Sequence, residues 1–278
     1  MSNTDAARRR LLTHARFEIL PTATIEDKVL ASVPLDTTVT ITASPAKPLD
    51  VTLATAERLR AAGYAVVPHL AARMIHGRSE LGEIVDRLTA ARIDSIFVPG
   101  GDATPEEGCY HSAADLLDDL ATMTHPFSTI GVTGYPESHP TIHDDVTIQA
   151  MWDKRRHATQ IVSNMTFDAA GTAKWVERVR KRGVGIPILI GLPGPVERTK
   201  LLTMGTKVGV GESLRFLNKQ KGVFARIAAP GYSPESFLHK IARVAADPEM
   251  KVEGLHLFTF NQVAETQAWR DRLLAGGG

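Results

Sequence analysis

The chain has 278 residues, of which 43% are hydrophobic and 23% charged, so it can bury a large core without a disulfide or a structural metal. Its net charge of +1 argues against a dedicated nucleic-acid-binding or membrane-surface protein. The single cysteine, Cys109, excludes an internal disulfide and a cysteine-rich zinc site. Neither a membrane span of ~20 apolar residues nor the apolar core of a secretory signal is evident, so we expect a cytoplasmic protein.

Short apolar runs recur along the chain, and nearly every one ends at a polar residue or a glycine. These predicted strands cover 16–21, 38–44, 65–71, 95–102, 129–136, 159–164, 187–194 and 255–261. Amphipathic stretches between them predict helices over 25–33, 50–62, 79–92, 112–122, 144–157, 168–183 and 234–246, with one more after 261. Repeated strand–helix alternation of this kind is typical of a parallel (β/α)8 barrel of the TIM type.

We expect a single barrel domain over residues 1–278, with residues 1–14 as an N-terminal arm or short helix. The seventh and eighth strands are about 60 residues apart, more than one helix requires. The extra segment, 195–232, is predicted to hold two short helices and to cover the barrel rim as a lid or substrate wall. An insertion that only packs against the barrel is the alternative.

Polar side chains close most of the predicted strands. They are Glu18, Thr42, His69, Asp102, Tyr135, Asn164 and Asn261. The active sites of such barrels lie at the end where the strands finish. The sequence therefore predicts that these side chains surround one site.

Six strings at the predicted strand ends point to a family. They are FEILP (17–21), PHL (68–70), GGD (100–102), YPESHP (135–140), SNMTFD (163–168) and HLFTFN (256–261). In this order, over about residues 16–265, they resemble the 5,10-methylenetetrahydrofolate reductase family. The resemblance implies an oxidoreductase that makes 5-methyltetrahydrofolate for methionine synthesis, with NADH or NADPH as the hydride donor.

The chemistry implied by the resemblance requires a general acid and a fixed negative charge. Protonation of folate N10 opens the one-carbon bridge to an N5 iminium cation, which accepts hydride. Glu18 matches the family's acid, and its apolar neighbours in sequence favour the protonated carboxyl. Asp102 matches the family aspartate and is expected to stabilise the cation or hold the pterin. A rim salt bridge for Glu18 and a turn cap for Asp102 are the alternatives.

The remaining site residues are assigned to substrate or cofactor. Asn164, Thr42 and Asn261 are expected to bind the folate, although Asn261 could instead cap the last helix. The expected cofactor-binding residues are His69, Gly100, Gly101, Tyr135, His139 and Lys154. For the two histidines, a purely structural role in the core is an equal alternative, and Tyr135 could simply pack at the rim.

The sequence departs from the family where a flavin would bind. Members of the family usually carry FAD, and an arginine commonly precedes the GD of strand four, where this chain has Gly100. Lys154 is about one position out of register with the family's phosphate-binding lysine. Loss of a charged, bidentate contact costs a few kcal/mol. We therefore favour direct hydride transfer from NAD(P)H over dependence on FAD.

Two other classes of function remain open at this point. A metal-dependent barrel hydrolase would use His69, Asp102, His139 and perhaps His256 as ligands. A barrel that binds folate without turnover would have no need of Glu18 and Asp102 together. The sequence does not distinguish NADH from NADPH, nor does it indicate the oligomeric state.

Overall fold

The structure, a computed structural model, describes residues 2–104, 109–137, 144–195 and 234–276. Its strands are β1 Arg16–Ile19, β2 Val39–Ile41, β3 Val66–Pro68, β4 Ser95–Val98, β5 Thr129–Gly134, β6 Gln160–Met165, β7 Ile188–Pro193 and β8 Val252–Phe258. Its helices are α1 Asn3–Thr13, α2 Ile25–Ser32, α3 Leu49–Ala61, α4 Gly77–Ala90, α5 Ala113–Leu120, α6 Asp144–Lys154, α7 Ala169–Lys181, α8 Pro234–Ala245 and α9 Val263–Ala275. The insertion predicted after β7 lies outside the described residues, apart from its first residue.

The strands form one parallel sheet that closes on itself. Their order is β3-β2-β1-β8-β7-β6-β5-β4. A parallel bridge between His69 and Phe97 joins the two outer strands, and the amide of Leu70 donates to the carbonyl of Phe97 at 2.8 Å. The predicted (β/α)8 barrel is therefore confirmed, with its seam between β3 and β4.

Two apolar cores follow from the alternation of side chains along the strands. The larger core lies between sheet and helices, where Phe17, Ile19 and Ile41 are completely buried. A smaller cluster, Val67, Phe97, Val162 and Leu189, lies on the opposite face, inside the barrel. The barrel interior is therefore packed rather than open.

Local sequence signals fix several helix ends. Asp168 caps α7 by accepting from the amide of Ala170 at 2.9 Å, as predicted. Gly63 and Gly183, with φ of +101° and +80°, stop α3 and α7 in the left-handed conformation that glycine tolerates.

Of the two forms expected for residues 1–14, the structure has the helix. Ser2 and Asp5 form a reciprocal capping box at the start of α1. Leu11 and Leu12 are buried, and Arg10 donates to the carbonyl of Ala245 at 2.6 Å. Helix α1 thus packs against α8 and β8 rather than fraying into solvent.

Across the part of the chain that the structure describes, no helix combines the length and the apolar character needed to cross a bilayer.

Candidate active site

Glu18 lies on β1 with its side chain directed into the barrel. Phe17 and Ile19, its neighbours in sequence, point the other way into the helix-side core. The Glu18 side chain is 13% exposed, so it reaches solvent at the barrel mouth. The apolar sequence neighbours of Glu18 therefore do not form its surroundings, which come from other strands.

Two histidines from distant strands surround the Glu18 carboxylate. Nε2 of His256, on β8, lies 2.7 Å from Glu18 Oε2 and forms a hydrogen bond with it. Nε2 of His69, directly after β3, lies 3.9 Å from the same oxygen, which is too far for a hydrogen bond. The three ligand atoms all lie within 4.8 Å of one another. We call Glu18, His69 and His256 the central cluster.

His69 is neutral in this cluster near neutral pH. Burial lowers its pKa to about 4; the charge of Glu18 opposes this shift and His256 adds to it. The ring packs edge-on against Phe97 with centroids 4.7 Å apart. Its Nε2 is buried and has no hydrogen-bond partner among the described residues. Because a neutral imidazole carries no charge, His69 forms no ion pair with Glu18.

A second group of polar residues lies at the rim, on the segments that follow β3, β4 and β5. Burial raises the pKa of Tyr135, the charge of Asp102 raises it further, and the charge of Arg73 opposes both. Arg73 donates from Nε to the carbonyl of His111 at 3.0 Å, and its Nη1 lies 3.5 Å from the carbonyl of Gly101. Asp102 is exposed. We call Arg73, Asp102 and Tyr135 the rim cluster.

The glycines before Asp102 leave open space at the rim. A Cβ added to Gly100 would meet no atom within 4 Å. Gly101 has a φ of +87°, and a Cβ there would lie 3.1 Å from that of Ala71. The first glycine thus leaves room for a flat ring, and the second is required by the backbone.

Asn164 lies in an irregular part of β6. The register between β6 and β7 shifts between Val162 and Met165. Ser163 Oγ accepts from the amide of Gly191 at 2.7 Å, and a Cβ on Gly191 would lie 2.6 Å from the carbonyl oxygen of Asn164. The exposed Asn164 is therefore oriented by a bulge that requires glycine on the neighbouring strand.

Glu137 joins the loop after β5 to the loop after β6. Its Oε1 accepts from Thr166 Oγ1 at 2.8 Å, from the amide of Asp168 at 2.7 Å and from the amide of Phe167. These donors precede α7, where a helix N-terminus favours negative charge. Glu137 is thus a link between the segments that carry Tyr135 and Asn164.

Thr42 and Asn261 make hydrogen bonds to the backbone near the end of β1. The amide group of Asn261 accepts from the nitrogen of Leu20 at 2.8 Å and donates to its carbonyl at 3.0 Å. Thr42 Oγ1 donates to the carbonyl of Ile19 at 3.2 Å. Both side chains shape the rim beside Glu18, and their predicted contact with folate stays a prediction.

Lys154 is remote from the carboxyl-terminal ends of the strands, where the other candidate site residues lie. It is the last residue of α6, and Thr159, five residues later, pairs with Ile130 near the start of β5. A nucleotide bound at the rim would reach it only by extending about 16 Å along the helix. Burial lowers the pKa of Lys154 to about 8. Its predicted role in cofactor binding therefore depends on the pose of the nucleotide.

A family model described as methylenetetrahydrofolate reductase matches residues 24–272. The chain belongs to this family.

Curated relatives agree with the methylenetetrahydrofolate reductase assignment over a shorter stretch. Methylenetetrahydrofolate reductase 2 of Saccharomyces cerevisiae is 31% identical over 93 residues, which are 32% of this chain and 16% of that protein. Methylenetetrahydrofolate reductase 1 of Schizosaccharomyces pombe is 34% identical over 93 residues, covering 33% and 15%. The matched stretch is thus about one sixth of each curated relative.

Solved structures resemble this methylenetetrahydrofolate reductase family member in fold alone. A 2,3-dimethylmalate lyase of the PEP mutase/isocitrate lyase superfamily matches with a TM-score of 0.52 and 10% identity, over 98% of this chain and 86% of that one. Oxaloacetate acetylhydrolase with a bound inhibitor matches with a TM-score of 0.54 and 10% identity, over the same shares.

Two residues near the site of this reductase family member carry little signal in the sequence. His256, a candidate ligand only in the hydrolase alternative, opens HLFTFN, and alternation in β8 places it inside the barrel. Arg73 carried no local signal, because only the fold brings its guanidinium to the loop of Gly101. His139, predicted to bind cofactor, lies outside the described residues.

Proposed function

We propose that this protein reduces 5,10-methylenetetrahydrofolate to 5-methyltetrahydrofolate by direct hydride transfer from NADH or NADPH, with Glu18 as the general acid. The observation that carries the proposal is the position of the Glu18 carboxyl. It lies inside the barrel mouth, 2.7 Å from His256 Nε2, in a chain of the methylenetetrahydrofolate reductase family. A Glu18 side chain directed into the helix-side core would not support this chemistry.

The proton transfer is the first step of the proposed reaction. Glu18 donates its proton to folate N10, the bond between N10 and the bridging carbon breaks, and an N5 iminium cation forms. Hydride then adds to that carbon and gives the N5-methyl group, and the nicotinamide is oxidised. The net reaction consumes one proton, which Glu18 recovers from solvent.

His256 and His69 have different parts in this proposal. The 2.7 Å bond allows Nε2 of His256 to accept from protonated Glu18 or to donate to the carboxylate, according to its tautomer. His256 thus keeps the carboxyl oriented in both protonation states. Since burial lowers the pKa of His69 to about 4, His69 stays neutral and forms no ion pair with Glu18.

Asp102 and Asn164 are proposed to act on the folate from the rim. The carboxylate of Asp102 supplies the negative charge that stabilises the developing cation. The exposed amide of Asn164 is proposed to bind the pterin, and its Oδ1 also accepts from the amide of Met165 at 2.8 Å. The Nδ2 donors of Asn164 are then directed to the ring. Thr42 and Asn261 complete the folate side by fixing the backbone beside Glu18.

The nicotinamide is proposed to lie over Gly100 and Gly101, between His69 and Tyr135. The open space at Gly100 fits a flat ring, whether nicotinamide or flavin. The family's arginine is absent at that position, and Arg73 brings a guanidinium to the same loop from the segment after β3. Arg73 is suited to a nucleotide phosphate or to the nicotinamide amide. The absence of the family's arginine at Gly100, together with the distance of Lys154 from the rim, supports direct hydride transfer over FAD.

The test is oxidation of NADH or NADPH with methylenetetrahydrofolate, using protein whose visible spectrum shows no flavin. We expect turnover without added FAD. A strict requirement for FAD would refute direct transfer but leave Glu18 as the acid. Folate binding without oxidation of either nucleotide would instead support a non-catalytic folate-binding barrel. Turnover of a hydrolysable substrate that depends on stoichiometric zinc would support the hydrolase alternative.

A further inference from the structure

The central cluster offers more than a hydrogen bond to Glu18. A carboxylate oxygen and two imidazole nitrogens, from β1, β8 and the end of β3, converge within 4.8 Å. His69 Nε2 is buried and has no hydrogen-bond partner among the described residues. Two histidines and one glutamate are a ligand set that zinc commonly uses with a fourth, open position.

The distances in the cluster are close to those that a zinc ion requires. Ligand bonds of about 2.0–2.1 Å at a tetrahedral angle place the ligand atoms about 3.3 Å apart. Glu18 Oε2 lies 2.7 Å from His256 Nε2 and 3.9 Å from His69 Nε2. The first separation must therefore grow and the second shrink by about 0.6 Å. The third separation, between the two imidazole nitrogens, is at most 4.8 Å and must shrink by no more than about 1.5 Å. Metal binding therefore requires the rings to turn towards each other and the Glu18 carboxyl, which is 13% exposed, to adjust with them.

The central cluster lacks a hydrogen bond that usually holds a metal-binding histidine in place. Metal-binding histidines almost always donate their second ring nitrogen to an oxygen, and loss of that partner weakens binding 10–100-fold. His256 Nδ1 is buried with no such partner among the described residues. Binding should therefore be reversible, unlike that of a metal required for folding or hydrolysis.

We propose that a divalent transition-metal ion of the zinc class binds between Glu18, His69 and His256 in the substrate-free protein and thereby inhibits it. The ion takes the place of the hydrogen that Glu18 and His256 share. That hydrogen moves to His256 Nδ1 or leaves to solvent as a proton. A metal-bound Glu18 has no proton for folate. The binding site rests on geometry alone, and the inhibition rests on the proposed reductase function.

The binding test is titration of tag-free, folate-free protein with Zn2+ by calorimetry, and with Co2+ by its visible absorption. We expect about one ion per chain and no binding of Mg2+, which prefers an all-oxygen site. His69→Gln and His256→Gln should each weaken zinc binding at least ~10-fold. The matched control is His157→Gln, since His157 Nε2 forms a 2.9 Å hydrogen bond with Asp118 Oδ1, away from the cluster. That variant should bind zinc normally.

Each result decides a separate part of the proposal. Equal zinc affinity in the wild type and both cluster variants, or no detectable binding to the wild type, would overturn the site. Should His69→Gln fail to fold, His256→Gln alone carries the comparison. Zinc that binds at the cluster while NAD(P)H oxidation continues unchanged would overturn the inhibition. Zinc binding in a protein without reductase activity would leave the site standing and refute the proposed function instead.

Discussion

Removal of the Glu137 carboxylate should loosen the link between two loops of the active site. Its Oε1 accepts three hydrogen bonds, from Thr166 Oγ1 and the amides of Phe167 and Asp168. In Glu137→Ala all three donors lose this acceptor at once. A hydrogen bond to a charged group contributes about 1.5–3 kcal/mol net. Glu137 is only partly buried, so water replaces part of each bond, and the free energy of unfolding should fall by about 2–4 kcal/mol.

The matched control is Glu137→Gln. The side-chain amide can keep an oxygen at the same place, while the second oxygen becomes an NH2 group and the charge near the start of α7 is lost. That loss should cost no more than about 1 kcal/mol. Urea denaturation at fixed pH measures both variants, and the difference between them isolates the accepting oxygen from the charge.

The kinetic consequence should appear mainly in folate binding. Thr166 lies two residues after Asn164, so a loose loop should misplace the predicted pterin contact. A loss of about 1.4 kcal/mol in binding would raise the KM for folate ~10-fold in Glu137→Ala. Equal stability and equal KM in the alanine and glutamine variants would show that the accepting oxygen does not position the loop.

Four further predictions follow from the described geometry. Glu18→Gln should fold normally and lower kcat at least ~100-fold; near-normal turnover would remove Glu18 as the acid. Arg73→Met should raise the KM for NAD(P)H at least ~10-fold and change the KM for folate by no more than about twofold. Arg73→Lys should retain part of the nucleotide binding. An equal rise in both KM values would argue against a contact between Arg73 and the nucleotide. Gly191→Ala should lower the free energy of unfolding by about 1–3 kcal/mol in urea denaturation and raise the KM for folate, because its Cβ meets the backbone of Asn164; a neutral result would show that the bulge adapts. Burial lowers the pKa of Lys154 to about 8 in the folded protein, so the wild type gains stability as the pH rises from about 8 to 10.5. Lys154→Met should therefore be more stable than the wild type by about 1–3 kcal/mol at pH 7 and should lose that advantage by pH 10.5. A difference that stays constant with pH would contradict this account.

The order of strands and helices, and with it the barrel, could be predicted from the amino-acid sequence alone. Apolar runs that end in polar residues predicted each strand, and signals such as Asp168 and Gly183 fixed helix ends. These are local properties, since burial, capping and backbone conformation depend on residues a few positions apart. The resemblance then implied Glu18 as the acid.

The surroundings of each candidate residue, in contrast, depend on the folded barrel. Glu18 and His256 are 238 residues apart and meet because β1 and β8 are neighbours in one register. Arg73 reaches Gly101 through the seam between β3 and β4, and α6 carries Lys154 away from the rim. Which strands become neighbours is set by the packing of the whole barrel, so residues far apart in sequence meet only in the folded protein.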